Sequence, residues 1–327
     1  MSHAPPLLEV RRLRVEFPTR RGTLTAIDDV SFSIAPGEIL GVVGESGAGK
    51  SLTGAAIIRL IEPPGRIAAG EILLEGSRID GLPPEAMRRI RGRRIGAIFQ
   101  DPLTSLNPLY TIGRQICETI LAHLPVSRNA ARERAVALLG EVGIPAPETR
   151  LDHYPHQFSG GMRQRVVIAL ALCAEPRLII ADEPTTALDV STQAQIIALL
   201  KRVSQQHGAA VMLITHDMGV IAETAHRVAV MYAGRIVEIG PVRGVLQGPA
   251  HPYSGGLMRS IPKVGATGVP LAQIDGSMPG LDAIPQGCAF HPRCPKRFDR
   301  CARERPELLP MEERFAACWL YTDARRG

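Results

Sequence analysis

The sequence predicts an α/β fold, a mainly parallel sheet with helices on both faces. Three observations carry this. Short apolar runs at residues 39–43, 95–99, 178–181, 211–215 and 228–232 read as buried strands. Helical patterns stand between them at 50–61, 112–124, 128–142 and 160–173, with Pro145 and Pro147 as breakers. The first apolar run then enters Gly44-Glu45-Ser46-Gly47-Ala48-Gly49-Lys50-Ser51, which fits G-x-x-x-x-G-K-[ST] and opens a helix at Lys50 and Leu52. Strand, glycine loop and helix together are the setting that a phosphate-binding loop requires.

The remaining elements follow in order. Residues 7–17 and 24–34 alternate apolar and polar, the pattern of antiparallel strands. A mostly helical stretch lies between the strand ending at Gln100 and Ser159. After about residue 240 Pro and Gly become frequent, and four of the six cysteines fall between Cys288 and Cys318. This texture reads as a linker and a small C-terminal appendage.

Composition narrows the function. A chain of 327 residues with 45% apolar content can hold one large domain and an appendage. Aromatics make up only 4%, low for a protein that stacks bases or sugars. The net charge is +6, with a basic group at residues 88–94 and another at Arg325-Arg326. That suits a solvated face near a membrane or partner better than sequence reading of DNA. Residues 1–6 carry no secretory signal, and no apolar run approaches the ~18–20 residues of a membrane span. The chain is therefore expected to be cytosolic, with other chains supplying any pore.

In residues 44–51 the glycines let backbone N–H groups approach phosphate oxygens. Lys50 brings a cation to the β- and γ-phosphates, Ser51 offers a hydroxyl to Mg²⁺, and the helix N-terminus adds its partial positive charge. Leu178-Ile179-Ile180-Ala181-Asp182-Glu183 is an apolar strand ending in carboxylates. Asp182 suits Mg²⁺, and Glu183 suits the orientation of an attacking water. Ser159-Gly160-Gly161-Met162 sets a hydroxyl and free amides at a helix start, an anion site without a lysine and equally an ordinary N-cap.

Taken in order, these motifs resemble the ATP-binding cassette (ABC) family over residues 7–247. The resemblance implies a P-loop ATPase fold: a RecA-like parallel core, an antiparallel β subdomain, and a helical subdomain over about 101–165. It implies that ATP and Mg²⁺ are held by residues 44–52, Ser51, Asp182 and Gln100. It assigns Glu183, His216 and Gln100 to catalysis. Gln100 matches the Q-loop, His216 the switch histidine, Asp189 the D-loop and Phe17 the aromatic against adenine. Ser159, Gly160, Gly161 and Met162 match the signature, which closes over ATP held by a second cassette. Met162 stands where the family usually has Gln.

One branch is closer still. Residues 99–108, 158–165 and 182–190, with His251-Pro252-Tyr253 and Gly256-Leu257-Met258, resemble the ATP-binding subunits of oligopeptide and dipeptide importers. Residues 248–327 then correspond to that branch's C-terminal extension. The resemblance implies a second homologous cassette, two membrane permease subunits, an external substrate-binding protein, and residence on the cytoplasmic face of the inner membrane. Peptides are the implied cargo; nickel chelates or glutathione fit the same machinery. A soluble cassette acting on nucleic acid is the rival. The net charge of +6 is mildly in its favour, but such proteins usually carry a long coiled coil or two cassettes in one chain, and this sequence shows neither.

Cys288, Cys294, Cys301 and Cys318 are separated by five, six and sixteen residues. A cytosolic chain is a poor setting for disulfides, and the paired C-x-x-C of zinc ribbons is absent. Zinc, an iron–sulfur cluster or unligated thiols all fit the spacing. The resemblance of residues 288–295 to the dipeptide branch implies a [4Fe–4S] cluster. Cys117 and Cys173 fall in helical patterns and read as core.

Overall fold

The computed structural model describes residues 5–186, 188–260 and 273–321. The chain divides into two compact units. One draws on residues 9–32, 40–72 and 215–327, the other on 1–8, 33–39 and 73–214.

The unit that carries the phosphate loop has an antiparallel layer in which residues 9–19 lie between residues 22–32 and 66–72. Leu8 and Val10 are buried, then Leu13 and Val15, so the alternation slips by one residue. Arg12 lies at the slip with a φ of 48°, as at a β-bulge. Gly70 passes opposite; a Cβ there would stand 2.5 Å from the Arg12 carbonyl.

The same unit has a second layer in which Arg227–Tyr232 pairs parallel with Ile39–Val43 and antiparallel with Arg235–Pro241. Ala233 and Gly234 join the antiparallel pair with φ values of 46° and 77°. Two positive-φ residues in succession make the turn whose twist suits a tight hairpin. Arg314–Ala316 then adds to the far edge of Arg235–Pro241, with Glu238 opposite Ala316, and Leu309–Met311 follows it. The cysteine-bearing segment thus ends as strands of this layer. Tyr232, Tyr253 and Phe290 form its buried aromatic centre, with ring centroids 4.7–5.3 Å apart.

The other unit has parallel strands in the order Ala210–Ile214, Leu178–Asp182, Ile95–Ile98. All but Ala97 and Asp182 of these strand residues are buried, as parallel strands covered on both faces require. Its helices follow the expected stripes. Ile112, Ile116 and Ile120 are buried at four-residue spacing on Ile112–His123, and Ala131, Ala135, Leu138 and Leu139 on Arg128–Glu141. Thr111 and Ser127 cap the two N-termini by accepting from Arg114 and Ala130 N–H. The Arg165 guanidinium donates to the Val142 carbonyl at 2.7 Å, closing the end of the second helix.

The helix expected over 50–61 ends sooner, as Lys50–Ile57. Arg59 turns left-handed at φ 53°, and Leu60 N–H reaches back to the Ala55 carbonyl, a helix stop of the Schellman kind. The strand Arg66–Leu74, the helix Val190–His207 and the strand Arg235–Pro241 were not expected from the sequence.

Candidate active site

The phosphate loop starts where the buried strand Ile39–Val43 stops. A Cβ on Gly44 would lie 2.3 Å from the Met231 carbonyl, so the loop can begin there only with glycine. Gly49 holds φ 101° and stands at the N-cap of the helix Lys50–Ile57. Lys50 is buried at 6% exposure, and its ammonium donates to the carbonyls of Gly44 (2.8 Å) and Glu45 (3.1 Å). The charge is thereby brought back over the loop. Ala48 is buried, Leu52 half-buried, and Ser46, Gly47 and Ser51 are exposed.

His216 belongs to this unit and is exposed. The preceding residue, Thr215, donates its N–H to the Val42 carbonyl at 3.2 Å, just before the loop. Phe17 is half-buried, and its ring fills the space above Gly65, where a Cβ would stand 2.6 Å from Cε1. Packing therefore accounts for part of Phe17.

In the other unit Asp182 ends the strand Leu178–Asp182, and Glu183 follows with a φ of 44°. That left-handed conformation strains a residue with a Cβ by about 1 kcal/mol or more. It is held there by Glu183 N–H donating to the Ile214 carbonyl at 2.9 Å. The carboxylate is aimed by two donors, the Thr186 hydroxyl at 2.9 Å and the Gln100 amide at 3.3 Å. Two residues singled out in the sequence thus meet here. Thr186 was missed; its signal was its place three residues after Glu183 in a Pro-containing turn, a spacing that lets a side chain reach back.

Ser159 begins the helix Gly160–Leu172, and its Oγ accepts from Met162 N–H at 3.3 Å. Here it is an N-cap. Ser159 and Gly160 are exposed, while Gly161 is small because a Cβ would lie 2.9 Å from Thr192 Cγ2. Asp189 caps Val190–His207 and accepts from Thr192 N–H at 3.0 Å and from the Ser191 and Thr192 hydroxyls at 2.6 and 2.7 Å. The hydroxyl bonds, Ser191 first, hold its carboxyl well below the usual range.

Cys288, Cys294, Cys301 and Cys318 line one small cavity with Phe290 and His291. Burial pushes the Cys288 and Cys318 thiols up to about 11, and the neighbouring thiols add to it. Four thiols around one cavity are a donor set suited to an iron–sulfur cluster or zinc. Among the described residues, no group of three or more His, Cys, Asp or Glu side chains is arranged to hold a metal ion. Cys173 is buried and Cys117 half-buried, both away from this set in sequence.

A glycine loop carrying a buried lysine, with a strained strand-end glutamate aimed by a glutamine, defines a P-loop ATPase. The chain belongs to the oligopeptide/dipeptide branch of the ABC transporter family, among its ATP-binding subunits. Residues 27–186 match the ABC transporter family, and residues 237–301 match the C-terminal region of oligopeptide/dipeptide transporters. The dipeptide transport ATP-binding protein DppD of Escherichia coli is 47% identical over 92% of both chains. The oligopeptide transport ATP-binding protein OppD of Bacillus subtilis is 48% identical over 98% of this chain and 90% of its own. A putative peptide import ATP-binding protein of Brucella ovis is 49% identical over 94% and 95%. A dimeric ATP-binding cassette solved with ADP and phosphate superposes with a TM-score of 0.65 at 29% identity, over 72% of this chain and 99% of its own. Among the described residues, no helix is long and apolar enough to cross a membrane.

Proposed function

We propose that this chain is the ATP-hydrolysing subunit that powers uptake of di- or oligopeptides through a membrane importer. Identity of 47–49% to peptide-transport ATP-binding proteins over 92–98% of the chain supports the cargo class. The chemistry rests on one observation: Glu183 is held in a strained conformation with Gln100 and Thr186 aiming its carboxylate. A second homologous cassette, two permease subunits and an external binding protein would complete the machine, with this chain on the cytoplasmic face of the cell membrane. No nucleic acid partner is proposed.

In this reading residues 1–247 form the cassette, with its helical part at about 101–165, and residues 248–327 the extension. Residues 44–52 bind the nucleotide phosphates and Phe17 the adenine. Lys50 neutralises β- and γ-phosphate charge. Ser51, Asp182 and Gln100 would hold Mg²⁺, which offsets phosphate charge when bound. Glu183 orients and polarises the water that attacks the γ-phosphate, and His216 helps position it. Ser159 to Met162 and Asp189 face the partner cassette. The Ser159 N-cap already places free amides at a helix start, the feature an anion needs.

The cysteines would hold a [4Fe–4S] cluster, proposed on the donor set and the branch, not on preformed ligand geometry. Anaerobically purified protein is expected to carry about four iron atoms per chain and a broad visible charge-transfer band. Stoichiometric zinc or metal-free protein contradicts the cluster.

Glu183→Gln tests the catalytic assignment. ATP turnover by the assembled complex is expected to fall by at least about 100-fold while ATP binding persists. Unchanged turnover contradicts the assignment.

A further inference from the structure

Glu45, the second residue of the phosphate loop, is held from three sides. Its carboxylate accepts two bonds from the Arg293 guanidinium, Nη1 to Oε2 at 2.6 Å and Nη2 to Oε1 at 2.9 Å. Its N–H donates to the Tyr253 hydroxyl at 2.8 Å. Its carbonyl accepts from Lys50 Nζ at 3.1 Å. The residue that touches the phosphate-binding lysine is therefore also gripped from the C-terminal segment.

Arg293 is itself fixed. Its side chain is 7% exposed. Nε donates to the Asp275 carbonyl at 2.8 Å, and Nη2 to the carbonyls of Ile274 and Gly276, each at 3.2 Å. It ends the short turn His291–Arg293, which hangs on Cys288: His291 N–H donates to the Cys288 carbonyl, and Cys294 N–H to that of His291. Tyr253 is fully buried among Tyr232 and Phe290. Glycines, a lysine, a hydroxyl residue and a helix start make a phosphate loop. These contacts are additional to that requirement.

Their physical effect is twofold. A bidentate Arg–carboxylate pair fixes orientation as well as distance. It also neutralises an anion in a loop that must receive a polyanion, so an uncompensated Glu45 would repel phosphate.

We propose that Arg293 and Tyr253 are positioning residues for ATP binding, through which the C-terminal segment holds Glu45, and with it the Lys50 ammonium, in the geometry that receives the phosphates. This rests on the ATPase reading and gives the C-terminal segment a part in nucleotide affinity.

The test is ATP titration of the turnover of the purified assembled complex. Arg293→Met is expected to raise the KM for ATP about tenfold with kcat within about twofold. Arg293→Lys, a point charge without the fork, is expected to recover part of the loss. Arg293→Met combined with Glu45→Gln is expected to be no weaker than Arg293→Met alone, since both act on one pair. A KM unchanged in Arg293→Met, or effects that multiply in the double variant, overturns the proposal. If Arg293→Met fails to fold, Arg293→Gln removes the guanidinium fork and its charge while keeping a polar side chain, and an unchanged KM there overturns it equally. Lys50→Ala separates the two layers. If wild-type complex shows no ATP turnover that Lys50→Ala abolishes, the ATPase reading fails and the proposal with it. If that control behaves and Arg293→Met matches wild type, only the positioning role fails.

Discussion

Glu183 pays for its position. A glutamate at φ 44° gives up about 1 kcal/mol or more of backbone strain that glycine would avoid, and the adjoining bond to Ile214 maintains it. The return is an aimed carboxylate. Because Thr186 and Gln100 do the aiming, Thr186→Val should lower kcat about tenfold at nearly constant KM for ATP. Steady-state kinetics of the assembled complex check this; a change confined to KM would give Thr186 a binding role instead. Glu183, Gln100 and Lys50 could be singled out in the sequence because strand ends and glycine spacing mark them. Thr186 could not, since its role depends on a turn that folds it back. Arg293 was less legible still: nothing in local pattern links it to a residue 248 positions earlier.

Among the elements, Arg235–Pro241 shows why some strands escape a sequence reading. Glu238 interrupts its apolar run, and a charged residue at a strand centre argues for exposure. The carboxylate is instead fully buried and accepts from Ala250 N–H at 2.8 Å and His251 N–H at 2.9 Å, beside the helix Pro252–Arg259. That charge organises the turn into the helix. His251 then caps it: burial pushes its imidazole down to about 3, so neutral Nδ1 accepts from Tyr253 N–H. Glu238→Leu would leave both N–H groups buried without acceptors, which costs about 1–3 kcal/mol apiece. Denaturant titration should show a loss of at least about 2 kcal/mol; a smaller loss would mean that the strand and helix are fixed by packing alone.

Asp28 in Gly22–Ile34 makes a second tie at this scale. It accepts from Arg235 and Arg305, each at 2.6 Å. Burial pushes its carboxyl up, but the two guanidinium groups outweigh that and hold it below the usual range. A lowered folded-state value stabilises above the unfolded value of about 3.9 and is lost as pH falls through the folded one. Wild type should therefore exceed Asp28→Asn in urea stability at pH 6, with the gap closing below about pH 4. A gap independent of pH would remove charge from the explanation.

For the molecule as a whole, the parallel strands, the phosphate loop and the early hairpin were legible because each follows local periodicity. The C-terminal segment was marked by its resemblance to the oligopeptide/dipeptide extension, but its packing was not legible. Read as an appendage after residue 247, it supplies Arg314–Ala316 to the layer containing Arg235–Pro241 and Phe290 to the aromatic centre. Such long-range pairing leaves no trace in local pattern. Family membership gives the whole an energy source, ATP. The sharpest single measurement is ATP turnover by the complete importer in proteoliposomes, with binding protein present, as peptide is added. The account predicts peptide-stimulated turnover that Glu183→Gln abolishes. Turnover that survives Glu183→Gln, or that ignores peptide, would contradict it.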